Sequence, residues 1–248
     1  LVMLLFVVHL RSGPYDRPRT ILQVVILAAA LLAKESAVVA PVLIALLDVL
    51  VLRPGAGKPD EEPGGVFGPA MRRRAIRVWL PLLVTVGAYV ALRQWRLGLH
   101  APAEPFGHLE SWWGGSWLAQ LVVAGRGFLL QCGAVLFPMG SRLDVYPPTH
   151  GRLDAGALLA FLAVASILVV AWRLRRHRPL VSFGLLWFLV AMLPTANVAF
   201  TVGILSADRF LYLPLAGLVL VVAPILARCR LATVGLLAVY ALLSVVAS

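Results

Sequence analysis

Nine apolar runs, at 1–10, 20–33, 37–52, 76–95, 116–137, 155–172, 181–193, 210–227 and 231–247, limit what this chain can fold into more than any motif within it. In hydrocarbon, a strand with open edges leaves its backbone N–H and C=O groups unpaired at a cost of several kcal/mol each, whereas a helix pairs them within itself. The expected fold is therefore all-α, a polytopic transmembrane helical bundle. Composition agrees, with 61% of residues hydrophobic and only 13% charged. Soluble domains carry roughly 25% charged residues.

The net charge of +11, from 22 Lys+Arg against 11 Asp+Glu, raises the question of a nucleic-acid partner. The basic residues instead fall in compact tracts between apolar runs, such as MRRRAIR (71–77) and RLRRHR (173–178), with no basic stripe interleaved with aromatics. They read as cytoplasmic loops under the positive-inside rule, and no nucleic acid is expected. Cys132 and Cys229 lie in or beside apolar segments far apart in sequence, which implies no disulfide framework.

The first run, LVMLLFVVHL, covers about half of a bilayer, which needs roughly 20 helical residues. It has neither a basic n-region nor a small-residue cleavage site, so it is not a signal peptide. The last run, LATVGLLAVYALLSVVAS, also stops in mid-membrane. The expectation is one transmembrane domain over 1–248, truncated inside helices at both ends, with no tetratricopeptide or other repeat in view. Runs 20–33 and 37–52 are each short for a span and are separated only by Lys34, Glu35 and Ser36. A tight helical hairpin is expected in preference to one long broken helix, because a Lys–Glu pair is costly at the bilayer centre but can reach water at a junction.

Orientation follows from the loops. Residues 53–77 carry Arg53, Lys58, Arg72, Arg73, Arg74 and Arg77 and form the expected cytoplasmic loop. Residues 98–115, GLHAPAEPFGHLESWWGG, hold Glu104 and Glu110, no Lys or Arg, and a Trp pair suited to the interface, so they belong outside. If every later run then crosses, RLRRHR lands on the external side. Run 116–137 has Arg126 between two glycines and Gln131 near its end, both poor choices for a lipid-facing span. It is expected to be an interfacial or re-entrant helix on the external face, which makes 98–154 one external region. The alternative is a span in which Arg126 is paired inside the bundle.

That topology brings four polar stretches to the external face: KES (34–36), Arg126 with Gln131, SRLDVYPPTHGRLD (141–154) and PTANVAFTVGILSADRFLYLP (194–214). Charges held against apolar helix ends mark a substrate cavity or a pathway. Ordinary loop charge in water accounts equally well for Arg152 and Asp154. His100, His108 and His150 lack metal-ligand spacing, and no metal is expected.

Three stretches carry a resemblance. LLAKESAVVAPVLIALLDVLV (31–51) resembles the LLSKE-x4-LP-x5-LD stretch of the transmembrane-and-tetratricopeptide O-mannosyltransferases and their bacterial relatives. LLQCGAVLFPMGSRLDVYP (129–147) is similar to their LLLFP-x-x-LS-x-DYS segment. LPTANVAFTVGILSADRFLYLPLAGLVL (193–220) is similar to their P-x-SN … AER-x-LYLPS-x-G stretch. The chain departs from the pattern at Ala196, where the family often has Ser, at Asp208, where it has Glu, and at Leu215, where it has Ser.

The resemblance implies a GT-C type glycosyltransferase in a multi-pass fold. Such an enzyme moves a sugar from a polyprenyl-phosphate donor to a protein or glycan acceptor on the external face, which for a bacterial relative is the periplasmic face of the inner membrane. The lipid-linked sugar is a substrate, and no cofactor is implied. The donor needs an apolar groove for its tail, a cation at the interface for its phosphate, and a carboxylate to activate the acceptor hydroxyl. Arg209, Lys34 and Arg126 are nominated for the phosphate, with Asp208, Tyr212, Asn197 and Tyr146 in support. In the family, the acids considered catalytic lie in the first external loop, which here precedes Leu1, so this fragment alone is expected to be inactive. Asp144 and Glu35 are the carboxylates left near the site. A transporter or channel, or a non-catalytic membrane scaffold, remains the alternative.

Overall fold

A computed structural model describes residues 1–12, 17–52, 68–97, 117–136, 153–196 and 207–227; among these every element is helical and no strand occurs. Nine α-helices follow in order: α1 (Val2–Arg11), α2 (Arg17–Ala33), α3 (Ala40–Leu47), α4 (Pro69–Arg74), α5 (Leu80–Leu97), α6 (Trp117–Leu136), α7 (Ala155–Leu174), α8 (Pro179–Met192) and α9 (Tyr212–Leu226). Among the described residues, four stretches are long and apolar enough to cross a membrane: Glu35–Leu52, Pro69–Arg96, Leu118–Leu136 and Ala155–Leu174. Four shorter apolar helices accompany them, and the coarse description is an all-helical membrane protein. The run 231–247 lies outside the described residues.

The chain divides into two compact units, Leu1–Ala101 and Pro102–Ser248. In the first, α2 ends at Ala33, Lys34 is extended (φ −159°, ψ 125°), and a 3-10 turn over Glu35–Val39 leads into α3. Asp48 then meets His9 in the last turn of α1, close to where α2 begins and the Gln23 amide donates to the Ser12 hydroxyl at 3.1 Å. The chain has therefore doubled back between Lys34 and Asp48, and the pair of runs forms a hairpin rather than one broken helix. Helix α5 starts at the Asp48 end, where Trp79 Nε1 donates to the Asp48 carboxylate, and finishes at the opposite end, where Arg93 pairs with Glu35.

One boundary moves. The arginine tract 71–77, expected in the cytoplasmic loop, is helical: Gly68 caps the start, Pro69 occupies the first turn where its missing N–H costs nothing, and helix continues through a π turn at Ala75–Trp79 into α5. Arg74 is buried on this helix because it has anionic company, as described below.

In the second unit, α7 opens on Asp154, whose carboxylate accepts from the Ala157 N–H at 2.8 Å, a side-chain cap for a helix that otherwise begins in an apolar run. The chain reverses at 175–178, and the Ser182 hydroxyl on α8 donates to the Ala171 carbonyl on α7. Helices α8 and α9 pack antiparallel: Gly184 faces Gly217, Trp187 Nε1 donates to the Leu213 carbonyl, and Met192 joins Leu211 in an apolar cluster. Helix α6 runs unbroken through Gly125, Arg126 and Gly127. Phe128, Cys132 and Val135 pack against the cluster of Phe188, Met192 and Leu211, so the C-terminal half of α6 is held where α8 ends and α9 begins.

Candidate functional site

In the first unit, an open groove of about 590 Å³ lies where α2 ends and α5 ends. Four of its lining residues, Tyr89, Leu92, Arg93 and Arg96, are spaced to share one face of α5. Leu31 and Leu32 of α2 supply an apolar wall, and the break at Lys34 turns the Lys34 and Glu35 side chains to the rim. Glu35 is ion-paired with Arg93, and both side chains are about half exposed (53% and 46%). Arg96 lies 5.1 Å from the Trp95 ring. The groove thus joins apolar surface to three cations and one carboxylate, a charge of +2.

The opposite end of the same unit holds a buried polar node. Asp48 and His9 are 0% and 1% exposed, and Arg74 8%. Asp48 Oδ1 lies 2.9 Å from both His9 Nε2 and Arg74 Nη2, while Trp79 Nε1 donates to Oδ2 at 2.8 Å. His9 Nε2 is also 3.0 Å from Arg74 Nη2. One imidazole nitrogen cannot donate to the carboxylate and accept from the guanidinium at once, so only one of these two contacts is a hydrogen bond in either tautomer. His9 Nδ1 and Arg74 Nε have no partner among the described residues. Both partners of the carboxylate on the later helix, Arg74 and Trp79, border or belong to the π turn at 75–79, and Asp48 itself opens a π turn at 48–52. Local π geometry of this kind recurs at functional or constrained sites.

In the second unit, Arg126 donates to Asp154 at 2.7 Å, which supplies the partner that a mid-helix arginine needs. The Ala157 N–H, followed by Arg126, holds the Asp154 carboxyl below its ordinary value although the side chain is about half exposed. Asp208 and Arg209 occupy a 3-10 turn ahead of α9, both exposed, with the Arg209 guanidinium 5.5 Å from the Phe210 ring and Tyr212 exposed at the first helical position. Because α7, α8 and α9 alternate in direction, Asp154, Asp208, Arg209 and Tyr212 share one end of this unit, and the arginines of 173–178 sit at the other.

Of the residues nominated from sequence, Lys34 and Glu35 are together at the groove, and Arg126, Asp208, Arg209 and Tyr212 lie in the second unit. Asp144, Tyr146 and Asn197 are outside the described residues. Sequence reasoning missed Arg93 and Arg96, one turn apart in LRQWRL, and the whole of the buried node. The signal for the latter was present, since Asp48 is a lone carboxylate inside the apolar run 37–52. Among the described residues, no group of three His, Cys, Asp or Glu side chains is placed to hold a metal ion. Comparison with protein-family models, with characterised proteins and with solved structures finds no match to this chain.

Proposed function

We propose that this chain is the membrane part of a GT-C type glycosyltransferase and that the groove between α2 and α5 binds its polyprenyl-phosphate sugar donor. The observation that carries the reading is the groove itself, in which Lys34, Arg93 and Arg96 stand beside Leu31, Leu32 and Leu92. Arginine and lysine gathered at the inner end of a membrane helix follow from the positive-inside rule, and Arg72, Arg73, Arg74 and Arg77 satisfy that bias at the other end of this unit. Cations at the outer end run against it, and an anionic ligand accounts for them. An isoprenoid chain suits the apolar wall, and a guanidinium fork matches phosphate oxygens bidentately.

In the transfer, the bond between the anomeric carbon and the phosphate oxygen breaks as a bond to the acceptor oxygen forms. The acceptor proton goes to a base, and negative charge grows on the departing polyprenyl phosphate. The groove cations stabilise that charge. A transporter reading draws on the buried Asp48 node, but that carboxylate is already matched by Arg74, which suits a clasp between helices better than a route for ions.

The test is photo-crosslinking of the reconstituted chain with a photoreactive polyprenyl phosphate. Labelling is expected on α2 and α5, competed by polyprenyl phosphate and not by uncharged polyprenol, and lost when Lys34, Arg93 and Arg96 are all replaced by alanine. Equal competition by polyprenol would overturn the reading.

A further inference from the structure

Among the described residues, Glu35 is the one carboxylate lining the groove, and it is ion-paired with Arg93. Both side chains are about half exposed, so solvent screens the pair and it is weak. A phosphate that reaches Arg93 shares or takes over the guanidinium from Glu35 and lies beside the carboxylate either way, because Glu35 is tethered at the turn that closes α2.

Resting on the donor-binding reading above, we infer that Glu35 sets the groove's preference between the two lipids of the reaction, favouring donor over product. The donor is a phosphodiester with one negative charge at any relevant pH. The product, polyprenyl phosphate, is a monoester whose second ionisation falls near 6, so it approaches two charges at neutral pH. Three cations and one carboxylate leave +2 in the groove. Without Glu35 the groove would hold +3 and would retain the dianionic product most tightly. With Glu35 present, each phosphate charge meets a fixed like charge, and the product meets it twice. The carboxylate thus lowers product affinity more than donor affinity, which speeds release after transfer.

Among the described residues, the charged and titratable groups that face Glu35 are Lys34 beside it and Tyr89, Arg93 and Arg96 on α5, and the groove lining includes no histidine. Between pH 5 and 8, the titration of the monoester therefore dominates any change in preference.

The test measures binding of polyprenyl phosphate and of a polyprenyl-phosphate sugar to the full chain in nanodiscs, at pH 7.5 and pH 5. Glu35→Gln is expected to tighten binding by about threefold for the diester and about tenfold for the monoester at pH 7.5, in line with roughly threefold per exposed charge contact. At pH 5 the two gains should converge. Glu35→Asp, which keeps the charge, should preserve the discrimination and controls for local structure. Equal gains for both lipids at pH 7.5, or weaker binding of both, would overturn the inference while leaving donor binding intact. Wild-type chain that binds neither lipid above polyprenol overturns the donor-binding reading and this inference with it. Competition by inorganic phosphate as strong as by the monoester lipid overturns the assignment to a lipid.

Discussion

Replacing Arg74 with methionine keeps a long side chain but removes the guanidinium from a carboxylate that is 0% exposed. Asp48 retains the Trp79 N–H and the His9 contact, and loses the guanidinium that matches its charge. Breaking a buried ion pair from one side costs about 3–5 kcal/mol, because the remaining charge is neither solvated nor matched. The two surviving contacts offset part of this, so the expected loss is about 3 kcal/mol. The informative comparison is the combined variant His9→Leu, Asp48→Leu, Arg74→Met. It removes every charge from the node, and buried ionic clusters replaced by apolar groups of similar volume are neutral or more stable by about 1–4 kcal/mol. Trp79 then lacks an acceptor, which costs about 1 kcal/mol. The combined variant should therefore recover most of the stability that the single variant loses. Unfolding of the reconstituted chain in mixed micelles with increasing dodecyl sulfate, followed by far-UV circular dichroism, reads both. If Arg74→Met costs less than about 1 kcal/mol, or if the combined variant is less stable than the single one, the node is not a matched buried charge cluster.

Two further outcomes are expected from the second unit. Gly184→Ala should cost about 1–3 kcal/mol in the same assay, since an added Cβ would stand 2.6 Å from the Gly217 carbonyl oxygen where α8 and α9 touch; a neutral substitution would mean that the helices separate easily. Cysteines placed at positions 115 and 141, on either side of α6, in a chain with Cys132 and Cys229 replaced by alanine, should both react with an impermeant reagent from outside if α6 lies in the interface. Labelling of 141 from the inside alone would make α6 a span, with the Arg126–Asp154 pair as its means of holding an arginine in that helix.

The helices were legible because each apolar run must pair its own backbone, and that requirement does not depend on neighbours. The hairpin at Lys34–Ser36 was legible for a related reason, as two charges in sequence between short runs have to reach a polar environment. Misreadings arose where a polar residue belongs to a helix through a distant partner. Arg74 looks like a loop residue until Asp48 is brought beside it, 26 positions earlier in the chain. His9 and Asp48 are separated by 39 positions, and neither has a local pattern that names the other. Arg93 and Arg96 drew no reading from the sequence, because only the fold places the end of α5 next to the end of α2.

The two polar sites of the first unit also differ in what their surroundings permit. At the node, burial makes each contact costly to break and leaves no room for exchange of partners, so charge there serves to fix α1, α3 and the start of α5 against one another. At the groove, half-exposed side chains form pairs weak enough to be traded for a ligand. Trp79 and Arg93 are 14 residues apart on one continuous helix, about 21 Å at 1.5 Å per residue. Sites that far apart without shared partners usually contribute independently, beyond the roughly 7–10 Å over which substitutions couple. The rigid end can therefore hold α5 in place while the exposed end changes its ionic partner, which is the division that the proposed donor binding requires of this helix.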